Sequence, residues 1–154
     1  MIVYLVQHGE AKSESEDPQR PLTEQAIAAV RRMAEWAARA GVKPDEIRHS
    51  GKLRASQTAT IMAEYLSCAR IGSAAGLAPN DDVRPLAQEL NQCCHSLMIV
   101  GHLPFLSRLA SYLLFGDTEH TPVRFQMGGI VCLERQEGRW CLLWAVTPGL
   151  VPQS

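Results

Sequence analysis

The sequence lacks the features that would place it in a membrane, on a secretory route or on nucleic acid. No apolar run approaches the roughly 18 residues needed to span a bilayer. Residues 1–6 (MIVYLV) carry no basic segment, so we expect neither a signal peptide nor an anchor. Fifteen Lys and Arg against sixteen Asp and Glu give a net charge of −1, which argues against a nucleic-acid-binding face. The length of 154 residues predicts one domain, spanning residues 1–154.

Cysteine is scarce and irregularly spaced. The five cysteines form no C-x-x-C pair, and an odd number cannot pair completely. We interpret them as buried free thiols in a reducing cytosol, which predicts a cytoplasmic protein. Cys93, Cys94 and His95 are adjacent, but no second cluster supplies further ligands at zinc-like spacing. We therefore expect no metal site.

The apolar pattern predicts strands that alternate with helices. Thr23 suits the N-cap of a helix that Gly41 ends, and helical spacing places Arg31 and Arg32 on the side of this helix that faces away from its apolar stripe, towards solvent. Pro85 and Pro104 each suit the first turn of a later helix. The predicted segments are a strand at 2–6, a helix at 23–40, a short segment at 47–49, a helix ending near 66, a strand at 96–100 and a hairpin of 130–134 with 140–146. This order predicts an α/β fold, with a mostly parallel sheet covered on both faces and an antiparallel edge strand from the hairpin.

Polar residues follow three of these segments. They are QHGE at 7–10, SGKLR at 50–54 and GH at 101–102. Because the carboxyl ends of parallel strands meet at one edge of a sheet, we expect His8, Arg54 and His102 to converge there. One imidazole can attack phosphorus, the guanidinium can fork onto phosphoryl oxygens, and the other imidazole can donate a hydrogen bond to developing charge. The residues therefore suit phosphoryl transfer.

Each residue also has a purely structural interpretation. A lone histidine after a strand is more often a structural residue than a catalyst, which applies to His8 or His102 taken alone. We interpret His49, His95 and His120 as solvated or structural. A purely structural role fits Arg54 less well, because a cation in the first turn of a helix is repelled by the positive end of the helix dipole. A bound anion would remove that conflict and use the free N–H groups.

Four segments in order resemble the histidine phosphatase superfamily, which has the phosphoglycerate mutase-like fold. They are QHGEA at 7–11, RPLT at 20–23, SGKLRASQTA at 50–59 and GHLP at 101–104. The chain is most similar to the small bacterial phosphohistidine phosphatases of the SixA type. The resemblance implies a three-layer α/β/α sandwich, with His8 as the transiently phosphorylated nucleophile and Arg54 on the phosphoryl oxygens. It also implies that His102 stabilises the transition state, that Arg20 contacts phosphate or substrate, and that no metal or organic cofactor takes part.

The chain departs from the family at one position. The family motif is Arg-His-Gly, and here Gln7 precedes His8 and Gly9. Glutamine keeps an N–H₂ donor but lacks the charge and the fork of arginine. The loss is worth about 2–4 kcal/mol of transition-state binding, or about 30-fold to 1,000-fold in rate. We expect an enzyme that binds phosphate through Gln7, Gly9 and Arg20, and a non-catalytic phosphate-binding module is the alternative.

The substrate prediction depends on the leaving group. An alcohol needs a general acid, for which Glu10 is the nearest candidate and Asp81 and Asp82 are others. Phosphohistidine relaxes this need, because imidazole titrates near pH 6.5 and can leave as a neutral ring. The segment between Arg54 and His102 also leaves little chain for a lid. We therefore expect a monomer that hydrolyses phosphohistidine on a partner signalling or phosphotransfer protein. Hydrolysis of small phosphomonoesters is the alternative, and neither nucleic acid nor a membrane is an expected partner.

Overall fold

The computed structural model describes residues 1–153 as helices and strands that alternate along most of the chain. The strands are β1 (Ile2–Gln7), β2 (Glu46–His49), β3 (Ile71–Ser73), β4 (Leu97–Gly101), β5 (Ile130–Gln136) and β6 (Arg139–Val146). The helices are α1 (Glu24–Arg39), α2 (Leu53–Leu66), α3 (Arg84–Gln92) and α4 (Phe105–Phe115), and a 3₁₀ turn, η1, covers Pro148–Leu150.

All six strands belong to one sheet, in the order β3-β2-β4-β1-β5-β6. Strands β3, β2, β4 and β1 pair in parallel. Strand β5 runs antiparallel to β1 on one side and to β6 on the other, so the final hairpin supplies the antiparallel pairing at this edge. The predicted mixed α/β sheet is confirmed, with β1 and β4 as its two central strands.

Helices cover both faces of the sheet, as the continuous apolar runs of the central strands predicted. Val3 and Leu5 of β1 pack in a core with α3 and α4, whereas Tyr4 and Val6 pack in a second core with α1 and α2. Successive side chains of a strand point to opposite faces, so β1 is buried on both sides. The fold is therefore a three-layer α/β/α sandwich.

Helix α1 begins and ends where its capping residues predicted. The Thr23 hydroxyl oxygen accepts a hydrogen bond from the Ala26 backbone N–H at 3.0 Å. Gly41 follows the helix with a φ of 84°, a conformation that glycine adopts without strain. Strand β3 was not predicted. All three of its residues are exposed, so no apolar alternation marks it in the sequence.

The interpretation of the cysteines as buried is wrong for two of the five. Cys68, Cys93 and Cys132 are buried, whereas Cys94 and Cys141 are exposed, and all five are free thiols. Cys141 lies on β6, where one side of an edge strand faces solvent. No helix within residues 1–153 combines the length and the apolarity needed to cross a membrane.

Candidate active site

His8 is the first residue beyond β1 and is held by two backbone carbonyls. Its backbone N–H donates to the Gly101 carbonyl at 3.1 Å, which extends the pairing between β1 and β4 by one residue. Its ring Nδ1 lies 2.6 Å from the Gly9 carbonyl oxygen. Because a carbonyl oxygen only accepts, Nδ1 must carry the proton in this contact. The neutral ring therefore keeps its lone pair on Nε2, the atom needed for a nucleophile.

His102 is the first residue beyond β4, the strand beside β1. Its side chain is almost completely buried, at 2% exposure. The ring centroids of His8 and His102 are 4.9 Å apart and the ring planes are inclined at 53°. The parallel ladder of β1 and β4 thus brings together two imidazoles that are far apart in the sequence, as the strand ends predicted.

Ser50 is the hydrogen-bond partner of the His102 ring. Its Oγ lies 2.6 Å from His102 Nε2 and 3.3 Å from the backbone N–H of Lys52. The hydroxyl oxygen accepts from that N–H and can also donate its own hydrogen to Nε2. When it does, a neutral His102 carries its proton on Nδ1. That nitrogen is buried and has no hydrogen-bond partner within residues 1–153, so in this tautomer it is a donor that a substrate oxygen can use.

Positive charge surrounds the two rings. Arg54 is the second residue of α2 and is half-buried, and Arg20 has a φ of 51° with its Nε donating to the Lys12 carbonyl at 3.1 Å. Burial lowers the pKa of Arg54, and the nearby charge of Arg20 lowers it further. Two guanidinium groups that repel each other at a helix N-terminus make a site for an anion.

The same surroundings keep both histidines neutral. Burial is the main cause that lowers the pKa of His8, and Arg54 and Arg20 add to it against the opposing hydrogen bond to Gly9. Burial also lowers the pKa of His102 to about 3, with further contributions from the charges of His8, Arg54 and Lys52. At neutral pH, His8 therefore has an unprotonated Nε2 and His102 has a single N–H.

Gly9 connects the site to α2. Its backbone N–H donates to the Thr58 hydroxyl at 3.0 Å, and that hydroxyl donates to the Arg54 carbonyl at 2.8 Å. A Cβ on Gly9 would lie 3.1 Å from Val30 Cγ2, closer than ordinary van der Waals contact. The absence of a side chain therefore lets α1 pack against the loop that carries His8.

Gln7 lies at the end of β1, beside Gly101 in the sheet register. Its backbone carbonyl accepts from the Gly128 N–H at 2.8 Å, and its side-chain Oε1 is buried without a hydrogen-bond partner in the described part of the chain. Gln7 therefore stands immediately before the nucleophile candidate without contributing charge.

None of the candidate general acids hydrogen-bonds to either ring within the described residues. Glu10 is exposed and faces a cavity on the side of Gly9 that adjoins α1. Asp81 accepts from the Ala78 N–H, and Asp82 forms an ion pair with Arg84 at 2.8 Å. The role of Glu10 stays a prediction, and Asp81 and Asp82 are accounted for by their local contacts.

Two polar residues of the site had no role predicted from the sequence. Ser50 and Thr58 both lie in the segment 50–59 that carries the family resemblance, and this location was the available signal. The other three histidines have structural contacts. His49 accepts from the Gly51 N–H, His95 lies 3.4 Å from a Glu46 oxygen, and His120 lies 2.9 Å from an Asp117 oxygen.

Comparisons with known proteins agree with this architecture. Residues 3–78 match the family model of the histidine phosphatase superfamily, branch 1. The chain is 29% identical to the phosphohistidine phosphatase SixA of Escherichia coli, over 96% of this chain and 94% of that protein. It is 30% identical to a protein of Picosynechococcus sp., over 90% of this chain and 88% of that protein. A solved structure of SixA with bound tungstate superposes with a TM-score of 0.85 at 27% identity, covering 97% of this chain and 98% of that chain.

The fold and these matches show that the protein is an enzyme of the phosphatase class. The chain belongs to the histidine phosphatase superfamily. Among the proteins compared, it is similar in both sequence and structure to SixA, with nearly the whole length of each chain covered.

Proposed function

We propose that this phosphatase hydrolyses phosphohistidine on a partner protein through a covalent phospho-His8 intermediate. The observation that carries the proposal is the pair of imidazoles 4.9 Å apart, in which His8 Nε2 and His102 Nδ1 make no hydrogen bond within the described residues. Arg54 and Arg20 supply the positive charge beside them. The similar SixA structure holds tungstate, a tetrahedral oxyanion that resembles phosphate, which supports an anion site in this fold.

In the first step, His8 Nε2 attacks the phosphorus atom of the substrate. The bond between phosphorus and the substrate imidazole nitrogen breaks, and its electron pair returns to that nitrogen. A substrate ring protonated at its far nitrogen then leaves as neutral imidazole. Arg54 and Arg20 bind the phosphoryl oxygens, and His102 Nδ1–H donates to the oxygen on which charge develops.

In the second step, a water molecule attacks phosphorus in phospho-His8. The bond from phosphorus to Nε2 breaks, its electron pair returns to the imidazole, and the water proton leaves with solvent or phosphate. His8 returns to its starting form because its Nδ1–H stays bonded to the Gly9 carbonyl throughout. The lowered pKa of His8 keeps Nε2 unprotonated and therefore nucleophilic at neutral pH.

The choice of a phosphorus–nitrogen substrate follows from the contacts of the rings. Within the described residues, the His8 ring hydrogen-bonds to the Gly9 carbonyl and the His102 ring to the Ser50 hydroxyl, and neither ring bonds to a carboxylate. An alkoxide leaving group needs such an acid, whereas imidazole does not. A protein-borne substrate agrees with the description of the similar solved structure as the protein histidine phosphatase SixA.

Gln7 lowers the positive charge of the site without removing it. Arg54 and Arg20 both act on the pKa of His8, and Lys52 acts on that of His102, so cationic groups remain on more than one side. We infer that the amide of Gln7 takes the place of the family arginine as a neutral donor and that turnover is slower than with arginine.

The test is rapid-quench labelling with a ³²P-phosphohistidine protein as substrate. We expect acid-labile label on the wild-type enzyme during turnover and none on His8→Ala. His120→Ala is the matched control because His120 is exposed and pairs with Asp117, and it should retain the label. Label on any other residue of the wild-type enzyme would overturn the assignment of His8.

The same assay separates the alternatives. A much higher kcat/KM for one small phosphomonoester than for the phosphohistidine protein would replace the proposed substrate. An inert wild-type protein that becomes active as Gln7→Arg would identify a phosphate-binding module instead.

A further inference from the structure

A cavity lies beside Gly9, the residue after His8, on the side of α1. Its volume is about 470 Å³, within the range of about 300–1,000 Å³ of small-molecule sites. Helix α1 forms one wall, and the segment before β5 and the turn η1 form the other walls. Its lining includes Gly9, Glu10, Ala29, Arg32, Gln126 and Thr147.

This cavity lies at the same edge of the sheet as the two rings. Gly9 directly follows His8, and consecutive Cα atoms are about 3.8 Å apart. The wall residues follow from the topology, because β5 runs antiparallel and begins at this edge, while β6 ends there. A protein that presents a phosphoryl group to His8 can therefore also contact the residues around this cavity.

Arg32 gives the cavity its chemistry. The sequence predicted that Arg31 and Arg32 of α1 both face solvent, and for Arg32 this is wrong. Its side chain is half-buried, and its Nε is buried without a hydrogen-bond partner among residues 1–153. Ion pairs in that part of the chain do not include Arg32, although Glu10 lines the same cavity. Among the residues described, Arg32 therefore lines the cavity without an acidic partner, and a carboxylate is the acceptor that matches the planar fork of its guanidinium.

We propose that this cavity is a docking pocket for an acidic side chain of the phosphohistidine-bearing partner, with Arg32 as the ligand of its carboxylate. The inference rests on the proposed function, since it assigns the substrate protein a second point of attachment. Charge complementarity supports an acidic occupant, because Arg20, Arg54 and Lys52 around the rings make this edge positive. The pocket then selects a protein substrate over a free phosphorylated metabolite.

The test compares Arg32→Glu with Arg31→Glu. Arg31 is the neighbouring residue of α1, is exposed and does not line the cavity, so both variants make the same change in net charge. Steady-state kinetics are measured with a phosphohistidine-bearing phosphotransfer protein and with a small phosphoramidate. For Arg32→Glu we expect the ratio of the two kcat/KM values, protein over small substrate, to fall about tenfold or more, mainly through KM for the protein. For Arg31→Glu the ratio should stay within about twofold of the wild-type ratio.

A second pair of variants fills the pocket without changing charge. Ala29→Trp adds an indole to the lining, whereas Ala28→Trp places it on the exposed side of the same helix. Only Ala29→Trp should lower the kinetic ratio. Thermal unfolding of all four variants confirms that each is folded at the assay temperature.

The outcomes distinguish the two proposals. If the wild type hydrolyses the phosphohistidine protein but Arg32→Glu and Ala29→Trp keep the wild-type ratio, the docking pocket is wrong and the proposed function stands. Equal losses in Arg31→Glu and Arg32→Glu would also overturn the pocket, because they would indicate general electrostatic attraction. If the wild type does not act on the phosphohistidine protein, both proposals fail.

Discussion

Replacing Ser50 with alanine tests whether the hydroxyl sets the tautomer that catalysis needs. Ser50 does not touch the reacting atoms, and it acts through its 2.6 Å contact with His102 Nε2. Without the hydroxyl, this nitrogen loses its partner inside a site where the ring is 2% exposed. A buried polar group without a partner costs about 1–3 kcal/mol. His102 can then move its proton to Nε2, and the Nδ1–H donor is lost from part of the population.

The same 1–3 kcal/mol, expressed in the transition state, corresponds to a decrease of about 5-fold to 150-fold in kcat. We expect KM to change little, because the arginines that bind the phosphoryl oxygens are untouched. Ser50→Thr keeps the hydroxyl and should recover most of the rate. Ser13→Ala, in an exposed loop, is the control for loss of a serine hydroxyl at the surface.

Nitrogen-15 NMR of the His102 ring provides a readout that a merely structural role would not move. The wild type should show protonated Nδ1 and unprotonated Nε2 between pH 6 and 8, and Ser50→Ala should show a mixture. A wild-type ring protonated on Nε2 would refute the reasoning. So would a Ser50→Ala enzyme whose kcat lies within twofold of the wild-type value.

Two further predictions concern stability. The pKa of His102 is about 3 in the folded protein and 6.5 for a histidine fully exposed to water. Between these pH values the unfolded chain therefore binds more protons than the folded protein. As a result, the free energy of unfolding should decrease as the pH falls from 6.5 towards 3. The decrease contributed by His102 is about 2 kcal/mol at pH 5. In urea unfolding, the free energy of unfolding of His102→Asn should therefore fall less with decreasing pH than that of the wild type. Equal pH dependence in both proteins would contradict the prediction. Thr58→Val should lower the free energy of unfolding by about 1–3 kcal/mol, because the buried N–H of Gly9 loses its acceptor. Thr58→Ser keeps the hydroxyl and should have a free energy of unfolding near that of the wild type. An unchanged urea midpoint in Thr58→Val would show that the hydrogen bond contributes nothing to stability.

The sequence predicted the parts of the fold that local chemistry determines. Thr23 and Gly41 mark the ends of α1, and the apolar run of β1 predicted a strand buried on both faces. Strand β3 was not predicted, because its three residues are exposed and its pairing with β2 depends on tertiary structure. Local patterns carry no information about such a contact.

The candidate site was predictable as a location and less so as a mechanism. Strand ends and the family resemblance placed His8 and His102 at one edge of the sheet. The contact of Ser50 with His102 joins residues 52 positions apart, and it depends on a side-chain distance that no periodicity encodes. The partial burial of Arg32 was not predicted for a related reason. Helical spacing assigned Arg32 to the solvent side of α1, but the segments before β5 and after β6 cover that side.

The adjacency of β1 and β4 has a consequence for how the enzyme loses activity. The backbone N–H of His8 bonds to the last residue of β4, which is buried along its whole length, and β1 is buried at its four inner residues. Central strands of this kind open only when the whole domain opens. The two imidazoles are thus held by the most stable part of the molecule. Heat or denaturant should therefore abolish activity in the same transition in which the protein unfolds.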